Sequence, residues 1–247
     1  MKKIHLIPKI AISTGVIAGV LSMPVATTYA VTSTNTGLTA AQTVRLTAIK
    51  TKGDQEIDRR IARLTTLNAK ISNASKLTAS DKTTLTSEVA AEINDLTALK
   101  VKLDAETTPA AAGADAKSII DDYRVYALIV PKVALVRVAD DQQVVESRLV
   151  TAVNKLQTHV TAAKTAGKEV SDLQSKLDDA MAKIQASTAT SSGIQSKVIA
   201  LQPSDYNNDH TIVQGDYAQL MTARSSNKAA LDELKSVRDS LKQLAAQ

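Results

Sequence analysis

Leu173-Gln174-Ser175-Lys176-Leu177-Asp178-Asp179-Ala180-Met181-Ala182-Lys183-Ile184-Gln185-Ala186-Ser187-Thr188-Ala189-Thr190-Ser191-Ser192-Gly193-Ile194-Gln195-Ser196-Lys197-Val198-Ile199-Ala200-Leu201 is the stretch that decides the fold. Leu173, Leu177, Ala180, Ile184, Ser187, Ser191, Ile194, Val198 and Leu201 step by four and three without a slip. That spacing keeps one face of an α-helix turned towards a partner helix, as coiled-coil seam positions do. Ser187, Ser191 and Gly193 weaken the middle of the stretch. Polar residues in a seam lower stability but set register.

Both directions from this helix lead to more helices. Upstream, Val138, Val145, Leu149, Ala152, Leu156 and Ala163 mark one face of a helix from Pro131 to about Ala166; proline fits a first turn because it has no N–H to place. Gly167 reads as its carboxyl cap, and Ser171 with Gln174 as a capping box opening the next helix. Downstream, Pro203 opens a loop to about Asp209. Val213, Tyr217, Leu220, Arg224, Asn227, Leu231, Leu234, Arg238 and Leu241 then repeat the four-and-three step. Near the amino terminus, Ile57, Ile61, Leu64, Asn68 and Ile71 mark a helix from about Thr39 to Ala74, and Val89, Ile93, Leu96, Lys100 and Leu103 mark a second. In the turn between them, Leu77-Thr78-Ala79-Ser80-Asp81, Thr78 is expected to cap the second helix and Asp81 to complete a capping box. A short helix is expected from near Asp115 to Tyr126. The fold class is therefore all-α: an elongated antiparallel bundle of coiled-coil hairpins with about five long helices. Its segments are 31–38 (disordered linker), 39–106 (first hairpin), 107–131 (linker with a short apolar helix), 132–201 (second hairpin) and 202–247 (loop and last helix).

The first thirty residues read differently. Lys2, Lys3 and Lys9 precede an apolar run from Ile10 to Leu21, then Pro24 and Thr28-Tyr29-Ala30. This order predicts a secretory signal peptide over 1–30, cleaved after Ala30, and a secreted, extracytoplasmic mature chain. The run is too short to span a bilayer, which takes ~20 apolar residues. No cysteine is present to carry a lipid anchor or a disulfide. The carboxyl end shows neither a second apolar span nor a wall-sorting motif, so a released or non-covalently held protein is expected.

Without the leader, 27 basic residues face 25 acidic ones, and the formal charge falls from +5 to +2. Basic and acidic residues alternate and form no stripe, so no nucleic-acid partner is expected. Aromatic residues make up 2% of the chain, with no Phe and no Trp. Leu, Ile, Val and Ala at regular spacing suit thin helix–helix seams rather than a thick core.

Little in the chain suits catalysis. His159 and His210 fall on different elements, and the pairs Asp121-Asp122, Asp140-Asp141 and Asp178-Asp179 are adjacent, so their side chains diverge on a helix. No glycine-rich phosphate loop, GxSxG elbow or HExxH helix occurs. No catalytic residue, and no cofactor apart from calcium, is assigned. A calcium loop is sketched by Asp205, Asn207 and Asp209 at its first, third and fifth positions and Asp216 at its twelfth, although His210 stands where a glycine is usual. The other reading of Asp209 is a helix cap. The apolar stretch around Tyr123, Tyr126, Leu128 and Ile129 reads either as a buried central segment or as an exposed patch that engages a partner.

Ile57-Asp58-Arg59-Arg60-Ile61-Ala62-Arg63-Leu64, Lys76-Leu77-Thr78-Ala79-Ser80-Asp81-Lys82 and Asp122-Tyr123-Arg124-Val125-Tyr126-Ala127-Leu128 resemble segments of secreted helical proteins of uncharacterised function from candidate-phyla bacteria. The resemblance covers most of the mature chain and implies an envelope or cell-surface setting, with no functional residue carried over. The expected function is that of a non-enzymatic structural or interaction protein that binds another protein or a wall component, with homo-oligomerisation open. The alternatives are a cation- or small-ligand-binding module, using the Asp205 loop or a gap beside Ser187 and Ser191, and an extracytoplasmic holdase chaperone.

Overall fold

The structure is a computed structural model that describes residues 37–246. The expected leader, its cleavage after Ala30 and most of the 31–38 linker lie outside the described residues. The elements are α1 (Ala40–Ser72), α2 (Ala79–Ala105), α3 (Pro109–Asp121), a π-helical turn (Val125–Ile129), α4 (Val130–Thr165), α5 (Ser171–Ala200), α6 (Pro203–Asn208) and α7 (Gln214–Ala245). The fold is all-α, and five of the helices are long. Among the described residues no helix is long and apolar enough to cross a membrane.

Two apolar cores lie in series along α4, which at 1.5 Å per residue is about 54 Å long. The first gathers Ile57 and Leu64 of α1, Leu85 and Leu96 of α2, Ile119 of α3, and Val136 of α4 with Val198 of α5 and Leu220 of α7. The second holds Leu149, Val153 and Val160 of α4, Leu177 and Ile184 of α5, and Ala230, Leu234 and Val237 of α7. In the second core α5 packs against both α4 and α7, and α4 and α7 also touch. Facing residues from like parts of α4 and α7, such as Glu146 with Asn227, show that these two run parallel and α5 antiparallel to both.

All nine seam positions read from the α5 sequence are buried. In α7, by contrast, the expected stripe is buried at Leu220, Asn227 and Leu234 but is displaced by one residue at Tyr217, Arg224, Leu231 and Arg238. The buried residues of α7 are Asp216, Leu220, Ala223, Asn227, Ala230, Leu234 and Val237, whereas Tyr217 and Leu231 are 55% and 41% exposed. In α4 the expected Leu149 is buried, but Val145 is 39% exposed and Gln142, Glu146, Val153 and Val160 are buried beside it. In α7 the small Ala223 and Ala230 take inner positions, and the larger Tyr217 and Leu231 stand beside them.

Local signals explain the other departures. Helix α3 starts at Pro109 rather than near Asp115, because the Thr108 hydroxyl caps it by accepting the Ala111 N–H at 3.3 Å and proline is tolerated at the first position. Gly113 costs only about 1 kcal/mol there and does not stop it. The Thr78 hydroxyl does accept the Asp81 N–H at 3.1 Å, but the Asp81 carboxylate turns inward and completes no capping box. At α5 the expected Ser171 cap is absent; Glu169 accepts the Ser171 N–H instead, at 2.8 Å. Between α3 and α4 the chain turns at Arg124, whose φ of 39° is left-handed. The π-helical turn follows directly, with Pro131 just beyond it. A proline ring crowds the carbonyl four residues back, here that of Ala127, and a wider turn relieves this.

The left-handed backbone at Arg124 costs ~1–2 kcal/mol for a residue with a Cβ. The Arg124 guanidinium also donates to Asn207 at 2.5 Å and to Asp121 at 3.2 Å. Arg124→Ala loses both contacts and keeps the strain, while Arg124→Gly loses the contacts and relieves it. In urea unfolding the glycine variant is expected to be about 1 kcal/mol more stable than the alanine variant; equal stabilities would remove strain from this turn.

Candidate functional site

Between the two apolar cores the bundle carries a polar layer. Glu146 of α4 is 2% exposed. Its Oε1 accepts from the Ser187 hydroxyl at 2.7 Å and from Asn227 Nδ2 at 3.2 Å, and its Oε2 accepts from the Ser191 hydroxyl at 3.0 Å. One carboxylate from α4 thus fills the space left by two serines of α5 and an asparagine of α7. Away from Glu146, Ser187 also lines an opening of ≈ 260 Å³ with Thr190, Thr222 and Ser226, in the region where a gap beside the serines is expected. Nearby, Gln142 donates to the Leu220 carbonyl at 2.7 Å.

A second set of buried charges ties α2 to α4 and α5. Lys132 is fully buried and donates to Glu88 at 2.5 Å and to the Leu201 carbonyl at 2.6 Å. The latter oxygen ends α5, where a positive charge complements the helix dipole. One turn along α2, burial pushes Glu92 up to about 7, with the charges of Glu88 and Asp95 adding and Lys132 opposing. Asp81 and Asp140, 4% and 1% exposed, are two buried carboxyl groups whose charges act on each other. Gln195 donates to Asp81 at 2.6 Å, and the Thr78 N–H donates to Asp140 at 2.8 Å. Burial raises Asp140 to about 6; the Thr78 N–H opposes the shift and the Asp81 charge adds to it.

The seam between parallel α4 and α7 is accessible and opens at two levels. The first opening, ≈ 370 Å³, is walled by Val138, Val145 and Leu149 of α4 and by Tyr217, Met221 and Leu231 of α7. The second, ≈ 560 Å³, has Leu156 and Ala163 facing Leu241 and Leu244. Leu149 to Leu156 and Leu231 to Arg238 are steps of seven, so the openings follow one helical register. Arg224 and Lys228 stand at the first, and Lys155, Lys168, Arg238, Lys242 and His159 at the second. The stripes legible in the sequence of α4 and α7 therefore line this seam more than they line the core.

The proposed calcium ligands are divided among separate contacts. Asp205 lies in α6 and accepts the Gln202 N–H at 2.8 Å. Asn207 accepts from Arg124 and donates to the Asp121 carbonyl at 2.8 Å. Asp209 accepts from the N–H and hydroxyl of Thr211, stabilising a turn ahead of α7 instead of capping it. Asp216 is buried and accepts from Lys197 at 2.8 Å. Among the described residues no group of three or more His, Cys, Asp or Glu side chains is placed to share a metal ion. The apolar patch also divides. Leu128 and Ile129 are fully buried and belong to the packing between the π turn and α4, so they present no surface to a partner. Tyr126 is 40% exposed and lies under the guanidinium of Arg59, 4.9 Å from its ring centre, and Tyr123 is half-buried against the first core.

Two predictions follow from the buried carboxyl groups. Asp140 and Glu92 hold their protons more tightly folded than unfolded, so the stability they contribute is full below about pH 4 and is lost as pH rises through about 6 and 7. Asp121 and Asp179, held low by neighbouring lysines, act below that window. The melting temperature is expected to fall between pH 5 and pH 8, and Asp140→Asn with Glu92→Gln to flatten the fall; an unchanged slope in the double variant would refute the assignment. Glu146→Ala leaves two serine hydroxyls and an amide without their acceptor and is expected to cost about 2–4 kcal/mol in chemical unfolding.

Comparison of the chain with protein-family models, curated proteins and solved structures finds no match.

Proposed function

We propose that the chain is a non-enzymatic interaction protein that works outside the cytoplasmic membrane, in the bacterial envelope or at the cell surface, and binds a protein or wall component through the α4/α7 seam. The observation that carries this reading is the exposure of Val145, Tyr217 and Leu231 on the facing edges of two parallel helices. Single exposed apolar residues are ordinary on a protein surface. Here they recur at seam spacing along two neighbouring helices, which is how a surface made to receive another element is built. The polar layer supports the same reading, because buried hydrogen bonds between α4, α5 and α7 hold the two edges at a fixed separation. The amino-terminal sequence pattern and the resemblance to secreted helical proteins support the extracytoplasmic setting.

The test uses the full-length chain in an exporting bacterium, with a photo-reactive phenylalanine in place of Tyr217 or, as control, of exposed Thr83 on α2. The expected outcome is a shortened chain outside the cytoplasm, with one adduct of defined mass formed from position 217, absent from position 83, and reduced at least tenfold by Val145→Glu. Retention in the cytoplasm, or the same adducts from both positions, would sink the reading.

A further inference from the structure

We infer that the occupant of the α4/α7 seam is an acidic amphipathic α-helix of a partner protein, a reading that rests on the proposed function and names its partner's chemistry. Length and register come first. From Val138 to Ala163 the seam runs about 40 Å along α4. Its apolar residues recur in sevens, with Val138 and Val145 on one edge and Leu149 and Leu156 further in. Tyr217 and Leu231 lie on the other edge, two such repeats apart. A helix laid between them with apolar residues at the same spacing would turn three helices into four, with each of its seam side chains entering a space between four residues of α4 and α7.

Charge then selects among helices. The second opening has an apolar floor and four basic side chains around it, Lys155, Lys168, Arg238 and Lys242, with no carboxylate among the described residues of its lining. The first adds Arg224 and Lys228 against a single acid, Asp141, which already holds Lys76 at 2.6 Å. Arg238 lies beside Asp239 at 2.9 Å. No ion pair joins Lys155, Arg224 or Lys228 to a carboxylate among the described residues. The helix dipole accounts for Lys242, in the last turn of α7, and for Lys168, just beyond α4. It does not account for Arg224, Lys228 or Lys155, which sit well inside their helices. Glutamates flanking the apolar stripe of an incoming helix would meet these cations at the rim.

The floor adds a third constraint. Gln142 and Asn227, 6% and 4% exposed, line the first opening, and Gln142 Oε1 and Asn227 Oδ1 have no hydrogen-bond partner. Those two oxygens are covered by the protein itself, but polar side chains in the groove floor favour one polar side chain within the partner's stripe, which sets register.

The probe is a fluorescein-labelled peptide of three heptads, with leucine at the seam positions, one central asparagine and glutamate at the flanks; its twin carries lysine at the flanks. Anisotropy titration with the full chain at low salt is expected to give saturable 1:1 binding of the glutamate peptide, weakened by added salt. The lysine peptide is expected to bind at least tenfold more weakly. Leu231→Glu and the charge-reversed Arg224→Glu/Lys228→Glu variant should each reduce binding tenfold or more while their circular dichroism and melting stay near those of the parent. Equal binding of both peptides, indifference to the variants, or occupation of the seam by a second copy of the chain in sedimentation would overturn the inference. So would displacement of the peptide by laurate with no displacement by an unlabelled copy. A seam-specific adduct at position 217 combined with no peptide binding would remove the acidic helix and leave the interaction function standing, whereas loss of the adduct removes both.

Discussion

The stripe of α5 constrains everything around it. Its nine seam residues are all buried, and they are shared between α4 on one side and α7 on the other. A helix that divides one face between two neighbours brings those neighbours to about one helix diameter of each other. The two connections fix direction as well: a tight turn at Gly167, with φ of 75°, reverses the chain before α5, and the α6 segment reverses it again before α7. Helices α4 and α7 are thereby parallel, and they meet along a line that no loop has to cross.

The residues of the polar layer make sense against that constraint. Two serines in the α5 stripe would leave an under-filled seam, and Glu146 enters from α4 to accept their hydroxyl protons together with the Asn227 amide. Burying a carboxylate is expensive unless its oxygens are well supplied with donors, and an apolar substitute often packs with equal stability. What the layer contributes is uniqueness. A slip of α5 by one heptad would bring Ala180 and Ile184, or Ile194 and Val198, opposite Glu146 and strand the carboxylate. Lys132 plays the same part at the other end, since its ammonium reaches Glu88 and the last carbonyls of α5 only when α2, α4 and α5 are in register.

The sequence made α5 legible because its helix has one buried face, and that face carries large aliphatic residues except where Glu146 fills the gap. Helix α7 was misphased at Tyr217, Arg224, Leu231 and Arg238 for the opposite reason. Apolar periodicity weights Tyr217 and Leu231 above Ala223 and Ala230, but the small alanines are the ones buried, and only the packing shows which stripe is inside. The carboxylates of Asp81, Asp140 and Glu146 were legible as residues but not as a cluster, because their partners lie between 41 and 114 positions away in the chain. Asp205, Asn207 and Asp209 match a cation-loop spacing, yet α6 forms there and spends each polar group on a local or neighbouring contact. Leu128 and Ile129 were ambiguous in the sequence because a short apolar run reads alike whether it is covered or bare.

An apolar seam on a surface carries a hazard, since two copies could close on each other and bury it. The distribution of charge bears directly on this. A two-fold pairing through the seam would bring Lys155, Arg224, Lys228, Arg238 and Lys242 of one copy against the same five of the other, and like charges in apposition oppose association. The cations that would welcome an acidic helix are thus the same ones that discourage self-pairing. Their position beside the apolar residues, rather than on the far face, is what a receiving surface needs and what a merely soluble bundle does not. Solubility alone would be served by basic and acidic residues in alternation, which is the pattern over much of the rest of the chain.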